Sequence, residues 1–99
     1  MNTTTLTKPE QNLLNKLNTD YNLVVSDKWT VAVNPLNGVT VQTTPLVAAL
    51  IRFTQVAYQS YGLFGKMAFR QKPVSIQTYD RVRYLVLKLD KNAYAQVLD

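Results

Sequence analysis

The stretch that decides the fold is TPLVAALIRFTQVAYQSYG, residues 44–62. Thr44 is a good helix cap, Pro45 suits the first helical position, and Gly62 suits the residue after the last turn. Between these limits a broad apolar face is formed by Leu46, Val47, Leu50, Ile51, Phe53, Val56 and Ala57. A narrow stripe interrupts it at Ala48, Arg52, Gln55 and Gln59. A helix this apolar is covered on most sides, so the sequence predicts either a central helix or one that packs partly on another subunit.

A shorter amphipathic helix is predicted before this stretch. Thr7 and Glu10 have the spacing of a capping box, and Pro9 between them is tolerated in the first helical turn. One face then carries Leu13, Leu14, Leu17 and Tyr21. The helical pattern ends near Asn22, where a different period begins.

The residues between the two helices alternate with a period of two, which is typical of strands. Apolar residues occupy every second position at Trp29, Val31 and Val33, and again at Val39 and Val41. Pro35 favours a turn, and Asn37 and Gly38 accept positive φ. The segment is therefore predicted to be a β-hairpin that turns its tryptophan and valines toward the core.

A final helix is predicted after a less regular segment. Residues 62–77 are read as a loop with a short strand or turn near Met67–Arg70, and Thr78 is expected to cap the helix. Its apolar face holds Val82, Leu85, Val86, Leu89, Ala93 and Val97. The alternative is a strand over 82–89, which is rich in β-forming residues. Length and the persistence of the pattern beyond Asp90 favour the helix.

These elements predict one small α+β domain in the order helix, β-hairpin, long helix, helix. Residues 1–6 are predicted to be a flexible N-terminal arm and residues 7–99 to be the domain. A chain of 99 residues with 46% apolar and 17% charged residues can bury a core. The predicted core is Leu13, Leu17, Trp29, Val31, Val33, Val39, Leu50, Phe53, Val82, Leu85, Val86 and Leu89.

The positive charge of the chain is confined to one part of it. The net charge is +5, yet residues 1–51 are neutral overall. Residues 52–88 hold seven basic residues against one acid, Asp80, a net charge of +6. The same part is threaded with Phe53, Tyr58, Tyr61, Phe64, Phe69, Tyr79 and Tyr84. Basic groups interleaved with aromatic rings can bind a polyanion and stack on its bases.

Residues 66–83 are therefore predicted to contact nucleic acid or another phosphate-rich anion, through Lys66, Arg70, Lys72, Arg81 and Arg83. Pro73 keeps Lys72 extended, so that its side chain projects from the loop. Arg81 and Arg83 are expected near the start of the last helix, where free amides also attract phosphate. Basic side chains oppose the helix dipole there, which indicates a use other than helix stability. The alternative is an ordinary solvated basic surface.

Two residue types that carry much of enzyme chemistry are missing. The chain has no His and no Cys, which excludes disulfides, thiol nucleophiles, imidazole bases and nearly all zinc sites. Its six acids are spread along the sequence without a paired-carboxylate pattern. We therefore expect no enzyme activity, cofactor or metal site. The longest apolar run, Leu46–Ile51, is far too short to span a membrane, and a cytoplasmic location is expected.

The sequence thus predicts a small non-enzymatic protein that binds a phosphate-rich anion and forms a homo-oligomer, most simply a two-fold dimer. One alternative is a structural or adaptor protein, of viral or mobile-element origin, whose basic face binds an acidic protein. Another is a nucleotide-sized ligand pocket between subunits. Salt-dependent retention on DNA and RNA distinguishes the nucleic-acid binder from the adaptor.

Overall fold

The computed structural model describes residues 6–23, 25–64, 67–69 and 72–98, without the side chains of residues 57–73. Its elements in chain order are α1 (Lys8–Tyr21), β1 (Val31–Val33), β2 (Thr40–Gln42), α2 (Pro45–Phe64), β3 (Met67–Phe69), β4 (Lys72–Val74), α3 (Ile76–Leu89), α4 (Lys91–Ala93) and a π-helical turn (Tyr94–Leu98). The strands form two antiparallel pairs, β1 with β2 and β3 with β4. The predicted α+β fold and its element order are confirmed. The predicted loop holds a second strand pair, and β3 matches the short strand expected near Met67–Arg70.

Helix α1 begins at the predicted capping box. The Thr7 amide donates to Glu10 Oε1 at 2.8 Å, and the Glu10 amide donates to Thr7 Oγ1 at 3.3 Å. Lys88 of α3 also donates to Glu10 at 2.8 Å, and this bond, followed by that from Thr7, lowers the pKa of Glu10. The cap therefore joins the start of α1 to the end of α3. The helix ends at Asn22, which adopts the left-handed conformation with φ 54°.

Asparagine side chains hold the turn of the β1–β2 hairpin. Asn34 Oδ1 accepts from the Leu36 amide and Asn37 Oδ1 from the Val39 amide, both at 2.9 Å. Gly38 has φ 75°, a conformation that few side chains adopt without strain. Val31 then pairs with Gln42 and Val33 with Thr40.

The hairpin faces the core with the side opposite to the predicted one. Ala32 is 4% exposed, whereas Val31 and Val33 are each 44% exposed. The prediction of a buried position was wrong for Trp29, Val31, Val33 and Val39, which all lie on the surface. Alternation marks two faces but not which one is buried. Here β1 contacts α2, and the small Ala32 and Ala48 are both buried where they meet.

Helix α2 is the central helix of the domain. Thr44 caps it by accepting from the Val47 amide at 3.3 Å. The helix runs through Gly62 to Phe64, so Gly62 does not end it as predicted. A glycine inside a helix costs only about 1 kcal/mol relative to alanine. The residues buried along its first half are Val47, Ala48, Ala49, Leu50, Ile51, Phe53 and Thr54. This part of α2 is covered within the monomer and does not require a second subunit.

Helix α3 begins three residues earlier than predicted. Ser75 is its cap and accepts from the Thr78 amide at 3.1 Å, while Thr78 itself is buried in the first turn. The prediction that Thr78 caps this helix was wrong, because Thr78 packs into the core one turn further along. The helical structure over 76–89 rules out the alternative strand. Beyond it, the apolar pattern continues in α4 and the π-helical turn.

Asp90 separates α3 from these last turns. Its carboxylate accepts from the Ala93 amide at 3.0 Å, which starts α4, and from Thr43 Oγ1 at 2.7 Å. The buried Ala93 and Val97 therefore reach the core after a break in the helix. The predicted single helix is two successive segments.

The core is otherwise the predicted one, with Leu13, Leu17, Leu50, Phe53, Val82, Leu85 and Val86 buried and Leu89 packed against them in part. Tyr21 meets Phe53 edge to face, with ring centroids 5.4 Å apart. Leu6, assigned to the flexible arm from sequence, packs against the core. Positions 1–5 of that arm lie outside the described residues.

The orientation of the hairpin can be tested by placing the same residue on its two faces. Ala32→Thr adds volume and a hydroxyl to a buried site, so the free energy of unfolding should fall by about 1–3 kcal/mol. Val31→Thr on the exposed face should change it by less than about 0.5 kcal/mol. Urea denaturation measures both. A larger loss at Val31 than at Ala32 would contradict the observed orientation.

Candidate functional site

A groove of about 290 Å³ lies between β1 and α2. Buried small and apolar side chains line its inner part: Ala32, Ala48 and Ile51. Polar and aromatic side chains line its rim: Lys28, Trp29, Arg52 and Gln55. The segment that leads into β1 supplies Lys28 and Trp29, and the narrow polar stripe of α2 supplies Arg52 and Gln55. The unexpected orientation of the hairpin thus places Trp29 at the rim instead of in the core.

Arg52 and Trp29 form the central contact of the groove. The Arg52 guanidinium carbon lies 4.5 Å from the centroid of the indole ring, within the range of a cation–π interaction. Trp29 is still 43% exposed, so this contact leaves part of the residue accessible to solvent.

Gln55 fixes α2 to the outer edge of β1. The Thr30 carbonyl accepts from the Thr43 amide, and the Asn34 amide donates to the Val39 carbonyl, each at 2.8 Å. In this antiparallel register Val31 and Val33 therefore direct their backbone groups away from β2. Gln55 Nε2 donates to the outward carbonyl of Val33 at 2.7 Å. This contact covers part of the edge and works against addition of another strand.

The groove is electropositive. Its lining includes Lys28 and Arg52 but no carboxylate. Across the described ranges the ion pair present is Lys88 with Glu10, so neither groove cation is neutralised by an acid there. Unneutralised charges in a concave site attract anions more strongly than the same charges on a convex surface.

The structure does not bring the sequence-predicted binding residues together in the part it describes. Lys66 and Arg70 lie outside the described residues, and Lys72 begins β4 with its side chain also outside the description. Arg81 is exposed on α3 and lines a second cleft, of about 430 Å³, with Glu10 and Asp80. The acids make this cleft less favourable for an anion than the groove.

Arg83 makes contacts inside the domain. Its Nη2 donates to Tyr94 Oη at 3.2 Å and to the Leu98 carbonyl at 3.1 Å. The guanidinium also lies 5.8 Å from the Tyr79 ring centroid and 5.5 Å from that of Tyr94. Arg83 thereby fastens the π-helical turn to α3. Its Nε is buried without a hydrogen-bond partner within the described ranges.

The dipole of helix α3 does not act appreciably on Arg81 or Arg83. The helix begins at Ile76, so Arg81 and Arg83 lie beyond its first turn. The effect of the dipole on charged side chains falls off within that turn. Their positions therefore need no explanation from ligand binding, and Arg83 has a structural one.

Sequence reasoning missed the groove residues. Trp29 was assigned to the core, and Arg52 was treated as one member of a polar stripe. The available signals were a lysine directly before the tryptophan and a single charge on an otherwise neutral helix. No spacing rule connects Trp29 to Arg52, because a loop and a hairpin separate them.

Comparison of the chain with protein-family models, curated proteins and solved structures finds no match. In the described parts of the chain no three acidic, His or Cys side chains are grouped so as to hold a metal ion. The helices over those same residues include none long and apolar enough to cross a membrane.

The structural role of Arg83 can be tested by comparison with Arg81, which is exposed on the same helix. Arg83→Met removes two hydrogen bonds of a charged donor, and the free energy of unfolding should fall by about 1–2 kcal/mol. Arg81→Met, on an exposed site of the same helix, should change it by less than about 0.5 kcal/mol. Urea denaturation of the two variants decides. Equal effects would show that Arg83 does not hold the C-terminal turn.

Proposed function

We propose that this chain is a small non-enzymatic binding protein that contacts nucleic acid or another phosphate-rich anion. The observation that carries the proposal is the groove between β1 and α2, in which Arg52 stacks on an exposed Trp29 beside Lys28. The basic segment 66–83 remains part of the proposal as a further source of positive charge. A cytoplasmic location belongs to it as well.

The chemistry of the groove suits a nucleotide chain. Cations contact phosphates without regard to sequence, and an aromatic ring accepts any base. The volume of about 290 Å³ is at the lower limit of ligand pockets, which span about 300–1,000 Å³. One nucleotide unit matches this size, whereas a duplex would contact only the rim.

The test is the salt dependence of binding to a labelled oligonucleotide, followed by fluorescence anisotropy. Affinity should fall steeply with salt, because each phosphate contact contributes about 0.7–0.9 to the slope of log affinity against log salt. The variant Lys28→Gln/Arg52→Gln should reduce that slope by about 1.4–1.8, the value for two lost contacts. Binding that is absent from the parent protein at low salt would end the proposal.

Two further variants complete this experiment. Lys8→Gln/Lys16→Gln removes the same charge from exposed sites on α1, away from the groove, and should leave the slope almost unchanged. Arg70→Glu/Lys72→Glu, in the sequence-predicted segment, should abolish retention at low salt. A slope that falls equally in the α1 and groove variants would show that only net charge matters.

A second candidate function is self-association or adaptor binding through the hairpin. Val31 and Val33, which also line the groove, are each 44% exposed, and Leu36 at the turn is 95% exposed. Apolar groups gathered on one surface mark interaction sites more often than scattered ones do. The dimer predicted from α2 is thus better placed on the hairpin, with an acidic protein as the alternative partner.

Light scattering at tens of micromolar tests the hairpin dimer. We expect a dimer that is weakened by Val31→Thr/Val33→Thr, since this change removes apolar surface at exposed positions. Salt should strengthen the dimer, because two chains of charge +5 repel each other at low ionic strength. A strict monomer at every salt concentration would contradict this candidate.

A further inference from the structure

We infer that an unpaired base of a single-stranded nucleic acid stacks on the exposed part of the Trp29 indole, at the rim of the groove. The inference rests on the proposed function and specifies its ligand. Binding of a phosphate-rich anion requires only the cations. The stacked base assigns a separate task to the aromatic ring.

The indole ring of Trp29 already has a contact partner before a ligand binds. Arg52 lies 4.5 Å from the indole centroid and restricts the ring plane before any ligand arrives. A ring that is already ordered loses little further conformational freedom on binding. The 43% exposure of Trp29 leaves surface on which a base can stack.

Two positively charged side chains lie near the Trp29 ring. Lys28 is adjacent to Trp29 in the chain, and Arg52 lies across the groove. A base on the indole brings its own phosphates to within reach of such side chains, so that stacking and charge attraction act on the same nucleotide. No carboxylate in the groove lining opposes this arrangement.

A base must be unpaired and unstacked from its neighbours before it can stack on Trp29. Bases inside a duplex are stacked on their neighbours, and exposing one of them costs unstacking and unpairing energy. Trp29 lies at the rim of the groove between β1 and α2. A single strand should therefore bind more tightly than a duplex of equal length.

A peptide is the less suitable occupant. An extended peptide would add to the outer edge of β1 by backbone hydrogen bonds. Gln55 already bonds to the Val33 carbonyl on that edge, and Arg52 of the same helix reaches past it to Trp29. The two side chains of α2 stand where the added strand would lie.

Trp29 is the only tryptophan of the chain, so its fluorescence reports directly on the site. The full protein is titrated with a short oligothymidylate, with the corresponding duplex, with inorganic polyphosphate and with polyglutamate. Oligothymidylate should quench the tryptophan fluorescence. Polyphosphate should bind without comparable quenching, because it carries charge but no base.

Substitution of Trp29 separates stacking from charge. Trp29→Ala should weaken oligothymidylate binding about 5- to 150-fold, as expected for the loss of one stacked base, and leave polyphosphate affinity unchanged. Trp29→Phe should restore part of the loss because a ring is retained. Both variants are followed by anisotropy of labelled ligands, and circular dichroism confirms that they are folded.

The outcomes distinguish the two proposals. If oligothymidylate and polyphosphate bind equally and Trp29→Ala affects neither, the stacked base is wrong and the anion-binding function stands. Tighter binding of the duplex than of the single strand also overturns the stacked base. If no nucleic acid or polyphosphate binds at low salt, both proposals fall. Quenching by polyglutamate alone would replace them with an acidic protein partner.

Discussion

The burial of α2 is the constraint on which the rest of the structure depends. The first half of this helix is apolar on nearly every side, and exposing it would cost free energy in proportion to the apolar area. The helices and the first hairpin are arranged around it as cover. From its polar stripe, the exposed Arg52 and the half-buried Gln55 meet the segment of β1. The groove thus lies between β1 and α2, at the edge of the surface of α2 that other elements bury.

Local chemistry accounts for the parts of the fold that were predicted correctly. Caps such as Thr7 and Thr44 act through hydrogen bonds to nearby residues, so short sequences specify them. The orientation of the hairpin depends instead on its contact with α2. The small Ala32 is buried at that contact, and the larger Val31 and Val33 are exposed. The candidate site follows from that orientation, which explains why Trp29 was placed in the core and its contact with Arg52 was not foreseen.

The distribution of charge along a sequence differs from its distribution on the surface. Arg81 and Arg83 belong to the same basic segment, yet one lines a cleft with two acids and the other binds the C-terminal turn. The cations that gather in the groove, Lys28 and Arg52, come from parts of the chain that the charge count separated. Charged side chains cluster where helices and strands pack together, and the sequence alone does not show which of them do so.

The bonds that fix the two ends of the fold have a consequence for its assembly. Glu10 bonds to Lys88 across a separation of 78 residues, and Thr43 bonds to Asp90 across 47. Contacts between distant residues form late, since a long segment must be ordered before they are made. During synthesis, neither bond can form before residues 88–90 have left the ribosome. Until then the apolar surface of α2 lacks part of its cover, and this interval is when the nascent chain is most exposed to aggregation.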